Sequence, residues 1–155
     1  MPRALSSKNG AEMLTTEIET AVTQYFNPRV NLIVPNVSWG FFIHECDLLI
    51  ITKHGYAYEV EIKISKHDIH QDKRKVHHHN SRRIKKLYFA IPEDLLPHIS
   101  EIPERAGIIT VNERKKCKRV REAQIMNKYK FSDYEKFMVA RLGTMRFWKL
   151  RGLIF

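Results

Sequence analysis

Two apolar runs, CDLLIIT at 46–52 and YAYEVEIKI at 56–64, are separated only by Lys53, His54 and Gly55. So short a link, ending in glycine, joins two strands as an antiparallel hairpin. The hairpin constrains the rest of the chain, because it fixes two neighbouring strands around which a sheet must be completed. In its second strand Tyr58, Val60, Ile62 and Ile64 alternate with Glu59, Glu61 and Lys63. A side-chain period of two sends the apolar set to one face and two carboxylates with an ammonium to the other.

Before the hairpin, Leu14, Ile18, Ala21, Val22 and Tyr25 recur at helical spacing and predict a helix over 11–26, ended by Asn27 and Pro28. Residues 1–10, with Pro2, Ser6, Ser7, Asn9 and Gly10, read as a flexible arm. VNLIVPNV at 30–37 predicts a strand that Pro35 pushes to an edge, followed by a loop carrying Trp39, Phe41 and Phe42. After the hairpin, Ser65 and Asp68 have capping-box spacing and open a helix to about residue 79. A strand at 85–91, a helix at 92–102 and a last core strand, GIITV, at 107–111 follow. A final helix over 132–148 is expected to turn Tyr134, Phe137, Met138, Arg141, Leu142 and Met145 inward. The order predicts an α/β fold with an αβββαβ core, a mixed central sheet flanked by helices. We expect a single domain over 1–155, with 112–155 as a basic C-terminal extension.

Charge is distributed unevenly along the sequence. Residues 1–64 carry 5 Lys or Arg against 7 Asp or Glu, whereas 65–155 carry 22 against 10. The overall charge of +10 therefore resides in the second part of the chain, a pattern suited to a polyanion such as DNA beside a locally acidic site. No stretch approaches the roughly 20 apolar residues of a membrane span, so no membrane is expected as a partner. Cys46 and Cys117 have neither disulfide-framework nor zinc-ligand spacing, and a cytoplasmic setting is expected.

Asp47 opens the first hairpin strand, and Glu61 with Lys63 lies on the second. Their convergence depends on a strand register that sequence alone leaves open. If they converge, the two carboxylates and the Ile62 carbonyl form a hard-oxygen site for Mg²⁺, with Mn²⁺ as a substitute. Lys63 would then orient a metal-bound water or stabilise charge on a phosphate. The bland alternative is cross-strand ion pairing on an exposed face, at most ~1 kcal/mol for each pair.

Glu59, one pleat further away, is read as solvent-exposed, and Glu45 is the substitute ligand under another register. From the first helix, Glu17 lies about 85° from the apolar stripe, against about 115° for Glu19 and 135° for Glu12. Glu17 is therefore the candidate assisting acid. His77, His78 and His79 point in different directions on a helix and do not form a zinc set. Lys73, Arg74, Lys75, Arg82, Arg83, Lys115, Lys116 and Lys118 are the candidate DNA-backbone contacts, while Arg114, Arg119 and Arg121 extend that surface.

Asp47 followed by Glu61-Ile62-Lys63 resembles the motif of the PD-(D/E)XK nuclease superfamily, with Cys46 where the proline of the name would stand. The stretches HECDLLIIT, YEVEIKISKHDIHQD, KKLYFAIPEDL and IPERAGIITVN also resemble the MmcB-like family of DNA repair proteins. This resemblance covers about residues 45–125. It implies a restriction-endonuclease-like core and a metal-dependent deoxyribonuclease in which Asp47, Glu61 and Lys63 carry the chemistry. It also matches Ser65, Asp68 and Asp72 to the polar positions that follow the motif. A non-catalytic DNA-binding module on the same fold is the alternative. A homodimer is expected if both strands of a duplex are cut.

Overall fold

The computed structural model describes residues 13–37, 46–72 and 81–154. Its elements are α1 (Thr15–Phe26), β1 (Leu32–Val37), β2 (Cys46–Ile51), β3 (Ala57–Ile62), α2 (Lys66–Asp72) and β4 (Ile84–Pro92). A 3-10 helix (Glu93–Glu101), β5 (Gly107–Val111), β6 (Cys117–Arg121) and α3 (Asp133–Leu150) complete the described chain. The expected αβββαβ order is present, within a mixed six-stranded sheet whose spatial order is β1-β2-β3-β4-β5-β6. β2 pairs antiparallel with both β1 and β3, β3, β4 and β5 run parallel, and β6 returns antiparallel to β5. Pro35 sits on the edge strand β1 as its missing N–H requires.

Three apolar clusters hold the layers together. Ile18, Val22 and Phe26 of α1 pack on Leu48, Ile50, Val60, Ile62 and Tyr88 on one face of the sheet. The other face is shared: Val139 of α3 and Phe131 cover Val34, Leu49 and Ile51, and Ile69 of α2 with Ile102 covers Leu87, Phe89 and Ile91. Because helices lie on both faces, the central strands are buried on both sides. That corrects the expectation for Glu59, which is 2% exposed and lies in register between Leu49 and Leu87. A half-buried hairpin would have exposed it, but β3 is the third of six strands.

Two further corrections concern residues 112–154. Residues 117–121 form β6, paired with β5 through a turn in which Asn112 Oδ1 accepts the N–H groups of Arg114 and Lys116. Its exposed cations Lys118 and Arg119 protect an edge from further pairing, and they also hide the strand from any reading of hydrophobic pattern. This part of the chain therefore adds a strand to the sheet and a helix to its face. In α3 the expected inner stripe is displaced: Val139 is buried, whereas Tyr134, Phe137 and Met145 are exposed. Ser132 caps this helix, its Oγ accepting the N–H of Glu135.

At the outer side of β4, the buried Tyr88 hydroxyl donates to Glu122 Oε1 at 2.6 Å. Lys86 donates to the same oxygen at 3.0 Å, and Arg119 to Oε2 at 2.7 Å. Burial alone would raise the Glu122 carboxyl, but these donors and the Arg119 charge outweigh it and hold the group down at about 2. A depressed carboxylate contributes stability that is present above its ordinary value of 4.5 and lost as pH falls through its folded value. Glu122→Gln is therefore expected to flatten the fall of melting temperature between pH 4.5 and about 2, as read by thermal melts across that window. The effect should be modest, since the carboxylate side chain is 52% exposed.

Candidate active site

The β2–β3 ladder runs from Ile51 opposite Ala57 to Leu48 opposite Val60. One position further, Asp47 stands across from Glu61, and its Oδ2 accepts the N–H of Ile62 at 2.7 Å. A side chain thus closes the ladder where a backbone carbonyl would otherwise do so. The register left open by the sequence is the one that sets Asp47 beside Glu61. β3 continues along β4, with Lys63 N–H donating to the Ala90 carbonyl at 3.0 Å, which fixes where the Lys63 side chain leaves the sheet.

Glu61 is 2% exposed and Lys63 8%. The Lys63 ammonium lies 3.9 Å from Glu61 Oε2 and 3.1 Å from Oδ1 of Asp72, itself buried at the end of α2. Ser65 Oγ accepts the N–H of Asp68, and Asp68 Oδ2 accepts that of Ile64, so the chain turns sharply from β3 into α2. This reciprocal cap carries Ile69 and Asp72 inward on one stripe. Burying so many charges is expensive unless they are paired and serve a purpose. Charged groups desolvated together in this way are common at functional sites.

The acids of α1 differ in their surroundings. Glu17 accepts the N–H of Leu14 at 3.0 Å and pairs with Lys115 at 3.2 Å. The Leu14 N–H first, and then Lys115, hold its carboxyl below the ordinary value. Glu19 instead is pushed up, first by burial and then by the charge of Asp47. The buried stripe of α1 is Ile18, Ala21, Val22 and Phe26, while Tyr25 is 38% exposed. Measured from that stripe, Glu19 lies about 85° away and Glu17 about 115°. Counting Leu14 and Tyr25 into the stripe, in place of Phe26, reverses the two.

Of the expected phosphate contacts, Arg82, Lys116 and Lys118 are exposed. Lys115 reaches back to Glu17, and Arg83 donates to Tyr129 Oη and Glu135 while lying 4.1 Å over the Tyr129 ring. Lys73, Arg74, Lys75, the His77 to His79 run, Glu12, Glu45 and the aromatic residues Trp39, Phe41 and Phe42 lie outside the described residues. A cleft of roughly 830 Å³ opens at the carboxyl ends of β3, β4 and β5, lined by Ile64, Ser65, Pro92, Val111 and Arg114. Crevices at this end of parallel strands are where open α/β sheets take ligands.

Among the described residues, no three His, Cys, Asp or Glu side chains group closely enough to form a metal site by themselves. Mg²⁺ does not require such a cage, since it is commonly bound by one or two carboxylates, with waters and substrate phosphate completing its shell. Asp47, Glu61 and the Ile62 carbonyl are a donor set of that hard-oxygen kind.

No family model matches the sequence, and no curated protein matches it. Among solved structures, the fold is similar to that of the SPO1766 protein of unknown function from Silicibacter pomeroyi. The TM-score is 0.64 at 14% identity, covering 90% of this chain and 92% of that chain. The shared fold is mixed α/β. Among the described residues, no helix is long and apolar enough to cross a membrane.

Proposed function

We propose that this protein is a Mg²⁺-dependent DNA endonuclease of the PD-(D/E)XK type, resembling the MmcB-like proteins and acting in DNA repair or processing. The observation that carries the reading is the juxtaposition of Asp47 and Glu61 on adjacent strands, with the Lys63 ammonium 3.9 Å from Glu61. Asp47 and Glu61 would hold the cation, which would supply Lewis-acid activation of water and of the scissile phosphate. Glu61 and Asp72 hold the Lys63 ammonium in place, from where it would donate to the attacking water or to a non-bridging phosphate oxygen. Water adds to phosphorus as the bond to one sugar oxygen breaks, and a proton lost by the water is balanced by one gained from solvent at the departing oxygen, leaving a phosphate monoester on one end and a hydroxyl on the other. Glu19, whose raised carboxyl faces the Asp47 charge, takes the assisting place expected of Glu17. The exposed cations Arg82, Lys116 and Lys118 supply backbone contacts that add affinity without reading sequence.

The second reading, a DNA-binding module without catalysis, is favoured by the 3.1 Å pairing of Lys63 with Asp72, which engages the ammonium. Incubating the chain with supercoiled plasmid and branched duplexes separates the two. Nicking or cleavage with Mg²⁺ or Mn²⁺, abolished by chelator, is the expected outcome. Salt-dependent binding indifferent to chelator, with no cut product, would establish the alternative.

A further inference from the structure

α3 spans 18 residues, of which Val139 is the buried one. It meets β1 through Val139, the half-buried Leu142 and Gly143, where a Cβ would lie 3.3 Å from Val34 Cγ2. Arg146 adds a bond from its guanidinium to the Asn36 carbonyl at 2.7 Å. On another side of the helix a second stripe faces water: Tyr134 is 71% exposed, Phe137 62%, Met145 38% and Trp148 48%, with Arg141 at the centre. At 100° per residue these five positions fall within roughly 80° of arc and lie about 150° from the buried side. Steps of three and four residues, here three, four, four and three, keep side chains on one face and make the seam by which helices pair with one another.

The spacing also selects the occupant. Read in either direction from Arg141, the steps are four and then three, so the stripe is its own complement in reverse. An antiparallel copy centred on Arg141 brings Tyr134 against Trp148 and Phe137 against Met145, each contact made twice, as a two-fold interface requires. The same alignment brings the fully exposed Asp133 carboxylate towards Lys149 of the other copy. A groove of roughly 630 Å³ adjoins the stripe at Met145, lined by Lys149, Leu153 and Ile154. The last two residues are 52% and 92% exposed. Taking roughly 200 Å² for each large side chain, the four apolar residues of the stripe expose about 440 Å² per chain and Leu153 with Ile154 add about 290 Å², against the ~800 Å² per partner of a standard interface. Isolated surface hydrophobics need no explanation, but a contiguous patch of this size marks an interaction site.

We infer that the outer stripe of α3 is a self-association surface through which two copies of this chain pair antiparallel about Arg141. Sedimentation equilibrium of the whole chain tests it. The wild-type protein is expected at twice the 18.4 kDa chain mass, and Phe137→Glu at the single-chain mass with an unchanged circular dichroism spectrum. Arg141 faces its own counterpart across the axis, so Arg141→Leu removes a like-charge contact and is expected to tighten association by about tenfold. Disulfide trapping fixes the direction: a mixture of Tyr134→Cys and Trp148→Cys chains should cross-link one variant to the other. Cross-linking of each variant only to itself would overturn the antiparallel pairing. A single-chain mass at all concentrations up to hundreds of micromolar would overturn the association. So would a monomer whose stripe instead binds vesicles of phosphatidylcholine and phosphatidylserine.

Discussion

Glu61→Gln is expected to lower plasmid cleavage by roughly 10²–10³-fold, the range seen when one electrostatic element of a preorganised site is removed. The substitution keeps the shape of the side chain, which is 2% exposed, while removing its charge. Asp47→Asn should produce a loss of the same order, because its Oδ1 can still accept the Ile62 N–H and the ladder end is preserved. Agarose gels of nicked plasmid, read beside thermal melts of each variant, separate lost chemistry from lost folding. Undiminished cleavage by both variants would remove the pair from the mechanism.

The second large effect is on stability. Lys63 and Asp72 are paired at 3.1 Å, with side chains 10% and 7% exposed. Removing one partner of a buried pair leaves the other charge desolvated, at a cost of about 3–5 kcal/mol. Asp72→Leu is thus expected to lower the melting temperature by about 10 °C, taking 2–4 °C per kcal/mol at this chain length. The double variant Asp72→Leu with Lys63→Met removes both charges together. It should recover much of that loss, as measured by thermal and urea unfolding. Additive losses in the double variant would mean that the two residues are stabilised independently.

The sequence exposed those parts of the molecule whose cause is local. The Lys53-His54-Gly55 link implies the hairpin, and Ser65 with Asp68 imply the cap that turns β3 into α2. What it concealed depends on neighbours distant in the chain. Glu59 reads as solvent-facing until α2, α3 and the 3-10 helix together cover that face of the sheet. β6 carries exposed cations on an edge and has no apolar run to reveal it. α3 bears two apolar stripes, and nothing local says which of them meets β1. Asp72 shares α2's inward stripe with Ile69 at i and i+3, a signal present in the sequence but weak in so short a helix. The exchange of Glu17 for Glu19 has a similar origin, since it rests on whether Tyr25 or Phe26 turns to the sheet.

The central claim is that Asp47 and Glu61 together hold a divalent cation. It is tested most directly by titrating Mn²⁺ into the protein without DNA and following the paramagnetic broadening of backbone amide signals. The account predicts selective loss of the signals of Asp47, Leu48, Glu61, Ile62 and Lys63, abolished in Asp47→Asn and in Glu61→Gln while both variants keep the wild-type spectrum elsewhere. Broadening centred on other residues, or unchanged broadening at these positions in both variants, would contradict it.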